Sequence, residues 1–133
     1  MNLQHTLKTS PETVFTYLSD LQQFVKVHPV IFKIESKGNN KYLVHEKLNF
    51  VPFPFTYTVV IEANKEESSV GMKAKVMGFV KIDMLFTIET NNGTTVVNEK
   101  VHFGTLWPVT AMLRKIFKAQ HTQLFLNIGN EAT

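Results

Sequence analysis

The chain has 133 residues, of which 44% are hydrophobic and 19% are charged, and its formal net charge is +3. This length suits one domain with its own core, over residues 1–133, and is short for two. No apolar run approaches the roughly 20 residues that a membrane-spanning helix needs, so a membrane-spanning protein is excluded. Basic residues are scattered among acidic ones, which argues against a nucleic-acid partner. The chain has no cysteine and no apolar run like that of a signal peptide near its start, so we expect a cytoplasmic location.

The first 30 residues predict a strand followed by two short helices. Residues 1–7 alternate, with Leu3, His5 and Leu7 on one face, as in a half-buried strand. Ser10 suits an N-cap, the proline after it suits the first helical position, and apolar residues at helical spacing follow. Ser19-Asp20 can cap a second helix, which Pro29 ends.

From Val30 onward the apolar period becomes two, which predicts six consecutive strands. The predicted strands are Val30–Ser36, Tyr42–Phe50, Phe55–Ala63, Ser69–Met77, Phe79–Thr90 and Thr94–Phe103. Glycine, asparagine and proline separate them in connections short enough for hairpins, so neighbouring strands are expected to be antiparallel.

After Trp107-Pro108 the period becomes helical again. The pattern places Arg114, Lys118 and His121 on a polar face and predicts that Gly129 ends the helix. The opposite, apolar stripe consists of Val109, Met112, Leu113, Ile116, Phe117, Gln120, Leu124 and Ile128. A helix of about twenty residues is roughly 30 Å long, enough to cross one face of the sheet.

This order of elements predicts an α+β fold in which a curved antiparallel sheet of about seven strands wraps around a long C-terminal helix. In residues 10–20, in the helix exit at Val27-His28-Pro29 and in the Pro108-Val109 helix entry, the chain resembles the SRPBCC (START-like, helix-grip) superfamily, which includes polyketide cyclase and dehydrase-like proteins. Many members have an aromatic residue where this sequence has His28. The resemblance implies a pocket for an apolar ligand between sheet and terminal helix. Both carriers and enzymes have this fold.

Two carboxylates fall in rows that alternation assigns to the inner face of the sheet. Glu46 shares its row with Tyr42, Val44, Leu48 and Phe50, and Glu99 shares its row with Val97, Val101 and Phe103. A charge on an apolar face is costly unless it is paired or hydrated, so each carboxylate is a candidate for ligand recognition or proton transfer. A bulge, a wrong face or a strand end that reaches solvent is the alternative.

The histidines offer two further candidates. The resembled fold makes the first and last strands neighbours, which would bring His5 close to Glu99; a structural hydrogen bond and a functional pair both fit. His28 precedes Pro29, so it lines the mouth of the cavity or, alternatively, interacts with the dipole at the helix C-terminus.

Aromatic and methionine side chains on the inner rows would suit a pocket of adaptable shape, although such residues also fill ordinary cores. Phe55 and Phe117 are among them. The residues that we predict to bind a ligand are Tyr42, Glu46, Tyr57, Met72, Met84, Phe86, Glu99, Phe103, Met112 and Ile116.

The motifs of several enzyme classes are missing from the sequence. The five histidines lack the spacing of a zinc site, and neither a phosphate-binding loop nor a Gly-x-Ser-x-Gly elbow occurs. We therefore expect no metal and no cofactor. The sequence favours binding or carriage of a small apolar ligand, such as a lipid or an aromatic polyketide-like compound.

Two other functions stay open. One is a cyclase or dehydratase in which Glu46, Glu99 and His5 transfer protons. The other is an interaction module that uses the basic residues Arg114, Lys115 and Lys118 of the terminal helix, although a solvated helix face also explains them. The oligomeric state stays open.

Overall fold

The computed structural model describes residues 1–49 and 52–132. The order of elements is that predicted from the sequence, with two helices after the first strand and a long helix at the end. The elements are β1 (Asn2–Leu7), α1 (Pro11–Ser19), α2 (Leu21–Val27), β2 (Ile31–Gly38), β3 (Lys41–Glu46), β4 (Phe55–Asn64), β5 (Ser69–Val76), β6 (Val80–Asn91), β7 (Thr94–Gly104) and α3 (Trp107–Glu131). This arrangement confirms the predicted α+β helix-grip fold.

Both predicted helix caps are present. The Ser10 side chain accepts a hydrogen bond from the backbone N–H of Thr13, and the Asp20 carboxylate accepts one from the backbone N–H of Gln22. Each cap satisfies a backbone donor that the first helical turn leaves without a partner. Asp20 is also the C-cap of α1, so a single residue separates the two helices.

The seven strands form one antiparallel sheet in the order β1-β7-β6-β5-β4-β3-β2. Six of the strands follow one another as hairpins, and β1 returns to pair with β7, with Leu3 opposite Glu99 and His5 opposite Val97. The expectation that the first and last strands are neighbours is therefore confirmed. This pairing brings residues about 95 positions apart in the sequence to the same place on the inner face.

The strand β3 is shorter than the sequence predicted. We expected Tyr42–Phe50, whereas β3 ends at Glu46, because the chain must leave the sheet to reach β4 through a connection rich in proline. Leu48 therefore follows the strand, and Phe50 lies outside the described residues.

The terminal helix differs from the prediction in two ways. It continues to Glu131 with Ala132 as its C-cap, past Gly129, which has no positive φ and is simply accommodated in the last turn. His121 is not on the polar face with Arg114 and Lys118, because only 4% of it is exposed. Its hydrogen bond to Glu99 makes the burial of a polar ring possible.

The core lies between the inner face of the sheet and one side of each helix. Its fully buried members include Val14 and Leu18 of α1, Phe86 of β6, and Leu124 and Ile128 of α3. These side chains fix the C-terminal half of α3 on the sheet. Among the described residues, no helix is long and apolar enough to cross a membrane.

Candidate functional site

A cavity of about 330 Å³ lies between the inner face of the sheet and helices α2 and α3. Its volume is at the lower end of the range for small-molecule sites. Most of the lining is apolar, and the N-terminal half of α3 forms one wall. Seven of the residues predicted to bind a ligand line it: Glu46, Tyr57, Met72, Met84, Phe86, Met112 and Ile116. Phe55 and Phe117 line it as well.

Three other residues of that predicted set are not in the lining. Tyr42 is half-buried beside the core on β3, opposite Val59. Phe103 packs its ring against that of Phe117, with 5.2 Å between the ring centres. Since Phe117 lines the cavity, Phe103 contacts a residue of the lining without being part of it. Glu99 is buried behind His121, and its side chain is fully enclosed.

Glu99 receives hydrogen bonds from two histidines. Its Oε1 lies 3.2 Å from Nε2 of His5, and its Oε2 is hydrogen-bonded to Nδ1 of His121. Burial is the largest influence on its pKa and would raise it, but the bonds to His121 and His5 outweigh burial and bring the pKa of Glu99 below its ordinary value. Glu99 is therefore an ionised carboxylate inside the core at neutral pH.

An ionised carboxylate only accepts hydrogen bonds, so Glu99 fixes the protons of both rings. His121 must carry a hydrogen on Nδ1, and His5 must carry one on Nε2. When His121 is neutral, its Nε2 is then a free base. His121 lines the cavity, whereas the His5 ring is stacked on Phe125 with 4.1 Å between ring centres.

His28 also lines the cavity, with the opposite arrangement of its proton. Its Nδ1 accepts hydrogen bonds from the backbone N–H groups of Val30 at 3.2 Å and Ile31 at 3.1 Å. Burial, together with the charge of the neighbouring His121, lowers the pKa of His28 from 6.5 to about 3. The ring is therefore neutral with its hydrogen on Nε2, and the proposed dipole interaction of a protonated His28 does not apply.

The remaining polar pair in the lining is Glu46 with Tyr57. The Tyr57 hydroxyl donates a 2.8 Å hydrogen bond to Glu46 Oε1. Burial raises the pKa of Glu46, although the bond from Tyr57 and the nearby His121 oppose this effect. Burial, reinforced by the charge of Glu46 and the hydrogen bond to it, raises the pKa of Tyr57 well above 10, so its hydroxyl stays a donor.

These groups give the apolar cavity a small polar region with distinct roles. The ring centres of His28 and His121 are 6.3 Å apart and the rings are nearly perpendicular. The hydrogen bonds of both rings are made through Nδ1. Among the described residues, no fully buried side-chain nitrogen or oxygen lacks a hydrogen-bond partner, so the Nε2 atoms of these two rings must be accessible from the cavity that they line. A ligand oxygen could thus meet a donor at His28 and an acceptor at His121.

The sequence analysis missed His121 as a site residue, although a signal for it exists. His121 follows Phe117 by four positions and precedes Leu124 by three, so it lies on the same helical stripe. Its polarity led us to assign it to the solvated face. The pairing of His5 with Glu99 follows the expectation, but the partner that faces the cavity is His121.

Comparisons with known proteins agree with this architecture. A family model described as polyketide cyclase / dehydrase and lipid transport matches residues 1–131. No protein with a curated description matches the chain significantly. Many solved structures do.

The crystal structure of Ara h 8.0201 is similar at a TM-score of 0.82 and 16% identity, over 99% of this chain and 95% of that one. A START superfamily protein from Mycobacterium smegmatis is similar at a TM-score of 0.75 and 13% identity, over 99% of this chain and 95% of that one. The Zhui aromatase/cyclase from a Streptomyces species is similar at a TM-score of 0.73 and 14% identity, over 99% of this chain and 92% of that one. At these identities the likeness concerns the fold.

Proposed function

Because this chain belongs to the polyketide cyclase / dehydrase and lipid transport family, whose fold binds small apolar ligands, we propose that it binds a small, mainly apolar molecule with at least one oxygen-containing group in the cavity beside α3. The observation that carries the proposal is the apolar lining of the cavity with a polar region at His28, His121 and Glu46. Apolar walls with few, well-placed polar groups are typical of ligand sites. The volume favours a compact ligand, such as a fused-ring compound or a short acyl chain, over a whole phospholipid.

Titration with an apolar fluorescent probe tests this proposal. We expect saturable binding at about one probe per chain, and native mass spectrometry of the purified protein should show any ligand that co-purifies. Met112→Trp should weaken probe binding at least tenfold, because the larger ring enters the cavity.

Leu126→Trp is the matched control, since Leu126 is on the same helix, is 57% exposed where Met112 is 50% exposed, and is not in the lining. Non-saturable binding, or equal binding by both variants, would contradict the proposal.

A second candidate function is acid–base catalysis on a bound carbonyl compound, and the bond between Glu99 and His121 favours it specifically. A carboxylate that fixes the Nδ1 proton of a histidine leaves Nε2 as a base and stabilises the imidazolium that forms. The enzyme hypothesis drawn from the sequence has Glu46, Glu99 and His5 transfer protons. In the structure, His121 faces the cavity, while Glu99 orients it.

The chemistry follows from the two proton arrangements. His121 Nε2 would take a proton from the carbon beside the carbonyl group, and the electrons of that C–H bond would form the enolate. The enolate oxygen would accept a hydrogen bond from His28 Nε2–H, while the ionised Glu99 balances the charge on His121.

Exchange of the acidic C–H groups of 2-tetralone in D2O, followed by NMR, tests this second function with a bicyclic apolar ketone. We expect His121→Gln to lower the exchange rate by about 10²-fold or more with little change in probe binding. His102→Gln, on the exposed outer side of β7, is the control. If the wild-type protein at saturating ketone gives no faster exchange than buffer alone, the proposed catalytic function is wrong, and the binding proposal is unaffected.

A further inference from the structure

Exposed apolar side chains are concentrated at one end of the sheet. Eight large hydrophobic residues are exposed among the described residues. Four of them follow or precede strand ends that lie together, and a fifth, Met112 of α3, lines the same cavity as two of these four. The register shows this, because the pairs Glu46–Phe55, Val76–Val80 and Lys81–Gly104 are all at that end. We call these five residues, which are between 50% and 77% exposed, the apolar rim: Phe53, Met77, Phe79, Leu106 and Met112.

The apolar rim surrounds an opening of the cavity. Met77, Phe79 and Met112 are at least half exposed and also line the cavity. Side chains that do both must lie where the cavity meets the surface. A ligand that enters at this opening passes these three residues.

The turn at the rim has an unusual sequence for its backbone. Met77 has a φ of 54° and Gly78 a φ of 75°, in the left-handed region that is unfavourable for most side chains. The other turns place asparagine or serine there, at Asn39, Asn40, Ser68 and Asn92. Methionine at such a position gives up local stability and exposes an apolar side chain, which indicates that the exposed side chain has a use.

The two segments that contain Met77, Phe79, Leu106 and Met112 are also strongly basic. Residues 69–82 and 103–118 contain six of the 14 basic residues of the chain and none of its 11 acidic residues, so the rest has eight basic and 11 acidic residues. Lys75 and Lys81 are directly opposite each other across β5 and β6, and Asp83, which is opposite Lys73, is the next acidic residue along β6 and lies on the same face. These two segments thus carry a net charge of +6, and the rest of the chain carries −3.

We propose that the apolar rim docks on the surface of an anionic lipid bilayer. Met77 and Phe79 would enter the acyl region, and Lys75, Lys81 and the basic residues of α3 would meet the headgroups. Amphipathic surfaces of this composition bind bilayers through buried apolar area plus attraction to anionic lipids. The cavity would then open onto the membrane, so that its ligand need not cross water.

A bilayer fits this surface better than a protein partner. Stable protein interfaces bury about 1,200–2,000 Å² in total, and their cores are depleted in charged residues. The rim is a few projecting side chains with Lys75 and Lys81 beside them, which is small for such an interface. A bilayer accepts single projecting side chains and has a uniform negative surface.

Co-sedimentation with vesicles tests the proposal. We expect the protein to bind phosphatidylcholine vesicles that contain phosphatidylserine, to bind pure phosphatidylcholine vesicles more weakly, and to dissociate as salt increases. The double variant Met77→Asn with Phe79→Asn should bind anionic vesicles at least tenfold more weakly. It should still fold, because asparagine suits the positive φ of position 77. Leu126→Asn, an exposed residue of α3 outside the rim, is the control.

A charge variant separates docking from ligand binding. Lys75→Glu with Lys81→Glu should weaken vesicle binding by about 25-fold or more, since each basic residue near an anionic surface contributes about fivefold. Lys37→Glu with Lys41→Glu makes the same charge change at the opposite end of the sheet and should affect binding far less.

Neither Lys75 nor Lys81 lines the cavity, so the variant with both lysines replaced should bind the probe in solution as wild type does. A loss of probe binding in this variant would contradict the proposed ligand site and would not bear on membrane docking. No binding to anionic vesicles at low salt, equal binding by the rim variant, or a rim-dependent dimer of the free protein would overturn the docking proposal.

Discussion

Glu99 is a fully enclosed charge, and two histidine N–H groups compensate for its burial. A single partner at this position would leave one carboxylate oxygen without a donor in the core, at a cost of a few kcal/mol. The histidines come from β1 and α3, so the carboxylate links the two ends of the chain through β7. Its removal should therefore affect both stability and the orientation of His121.

The first prediction is that Glu99→Gln lowers the free energy of unfolding by about 1.5 to 3 kcal/mol. Glutamine has one acceptor oxygen, and its amide N–H₂ would face a histidine donor, so at least one hydrogen bond is lost. Urea denaturation at neutral pH measures the change. Glu62→Gln, exposed on the outer side of β4, should stay within about 0.5 kcal/mol of wild type. Equal midpoints for the two variants would show that the hydrogen bonds to Glu99 contribute little.

The second prediction concerns the pH dependence that His28 produces. Its pKa is 6.5 in the unfolded chain and about 3 in the folded protein, so below pH 6.5 the unfolded state binds a proton that the folded state does not. Stability from this group is therefore complete above pH 6.5 and is lost as the pH falls toward 3, by about 1.4 kcal/mol per pH unit at most. His28→Asn, which retains an acceptor for the backbone, should remove this slope. Unfolding measured between pH 6.5 and 5 in both proteins tests it, and parallel curves would refute it.

The inner-row positions of Glu46 and Glu99 could be recognised from the sequence, because strand alternation needs only neighbouring residues. The role of His121 could not, since it depends on a contact with a carboxylate 22 positions away. Its place on the helical stripe between Phe117 and Leu124 could have shown that His121 is buried, but only the three-dimensional partner shows what its ring does. For the same reason, sequence alone left open whether His5 or another residue faces the cavity.

At the scale of elements, α3 has two halves with different tasks. The C-terminal half contributes fully buried residues such as Leu124 and Ile128 to the core, whereas the N-terminal half lines the cavity with half-buried residues such as Ile116. One amphipathic stripe in the sequence therefore becomes both core and cavity wall. The stripe predicted the helix, but it could not show where close packing ends and the cavity begins.

The third prediction separates these halves. Leu124→Ala should cost about 2 to 5 kcal/mol, because it removes a fully buried side chain and leaves a new void. Ile116→Ala should cost less than half as much, because that side chain already faces open space and loses fewer contacts. Urea midpoints of the two variants provide the comparison. A larger loss for Ile116→Ala would show that the cavity is closed in solution and that this half of α3 belongs to the core.

At the scale of the whole molecule, the fold has a closely packed core at one side of the cavity and an opening at the other. The packed core surrounds Glu99 and consists of α1, the β1–β7 pair and the C-terminal half of α3, whereas the rim residues at the opening are exposed. Apolar surface that faces the cavity contributes less to stability than packed core, so an occupied cavity should make the protein more stable than an empty one.

The last prediction is that a cavity ligand raises stability by the amount its affinity sets. At a free probe concentration of about 100 times the Kd, the free energy of unfolding should rise by about 2.7 kcal/mol if the probe binds only the folded state. With the binding weakened at least tenfold in Met112→Trp, whose indole would occupy the cavity, the rise at the same probe concentration should be about 1.4 kcal/mol or less. Leu126→Trp should show the full rise, because it leaves the lining unchanged. Urea denaturation with and without probe measures the effect. An equal rise in both variants would place the probe outside the cavity, and no rise in wild type despite saturable binding would mean that the unfolded chain binds the probe as well.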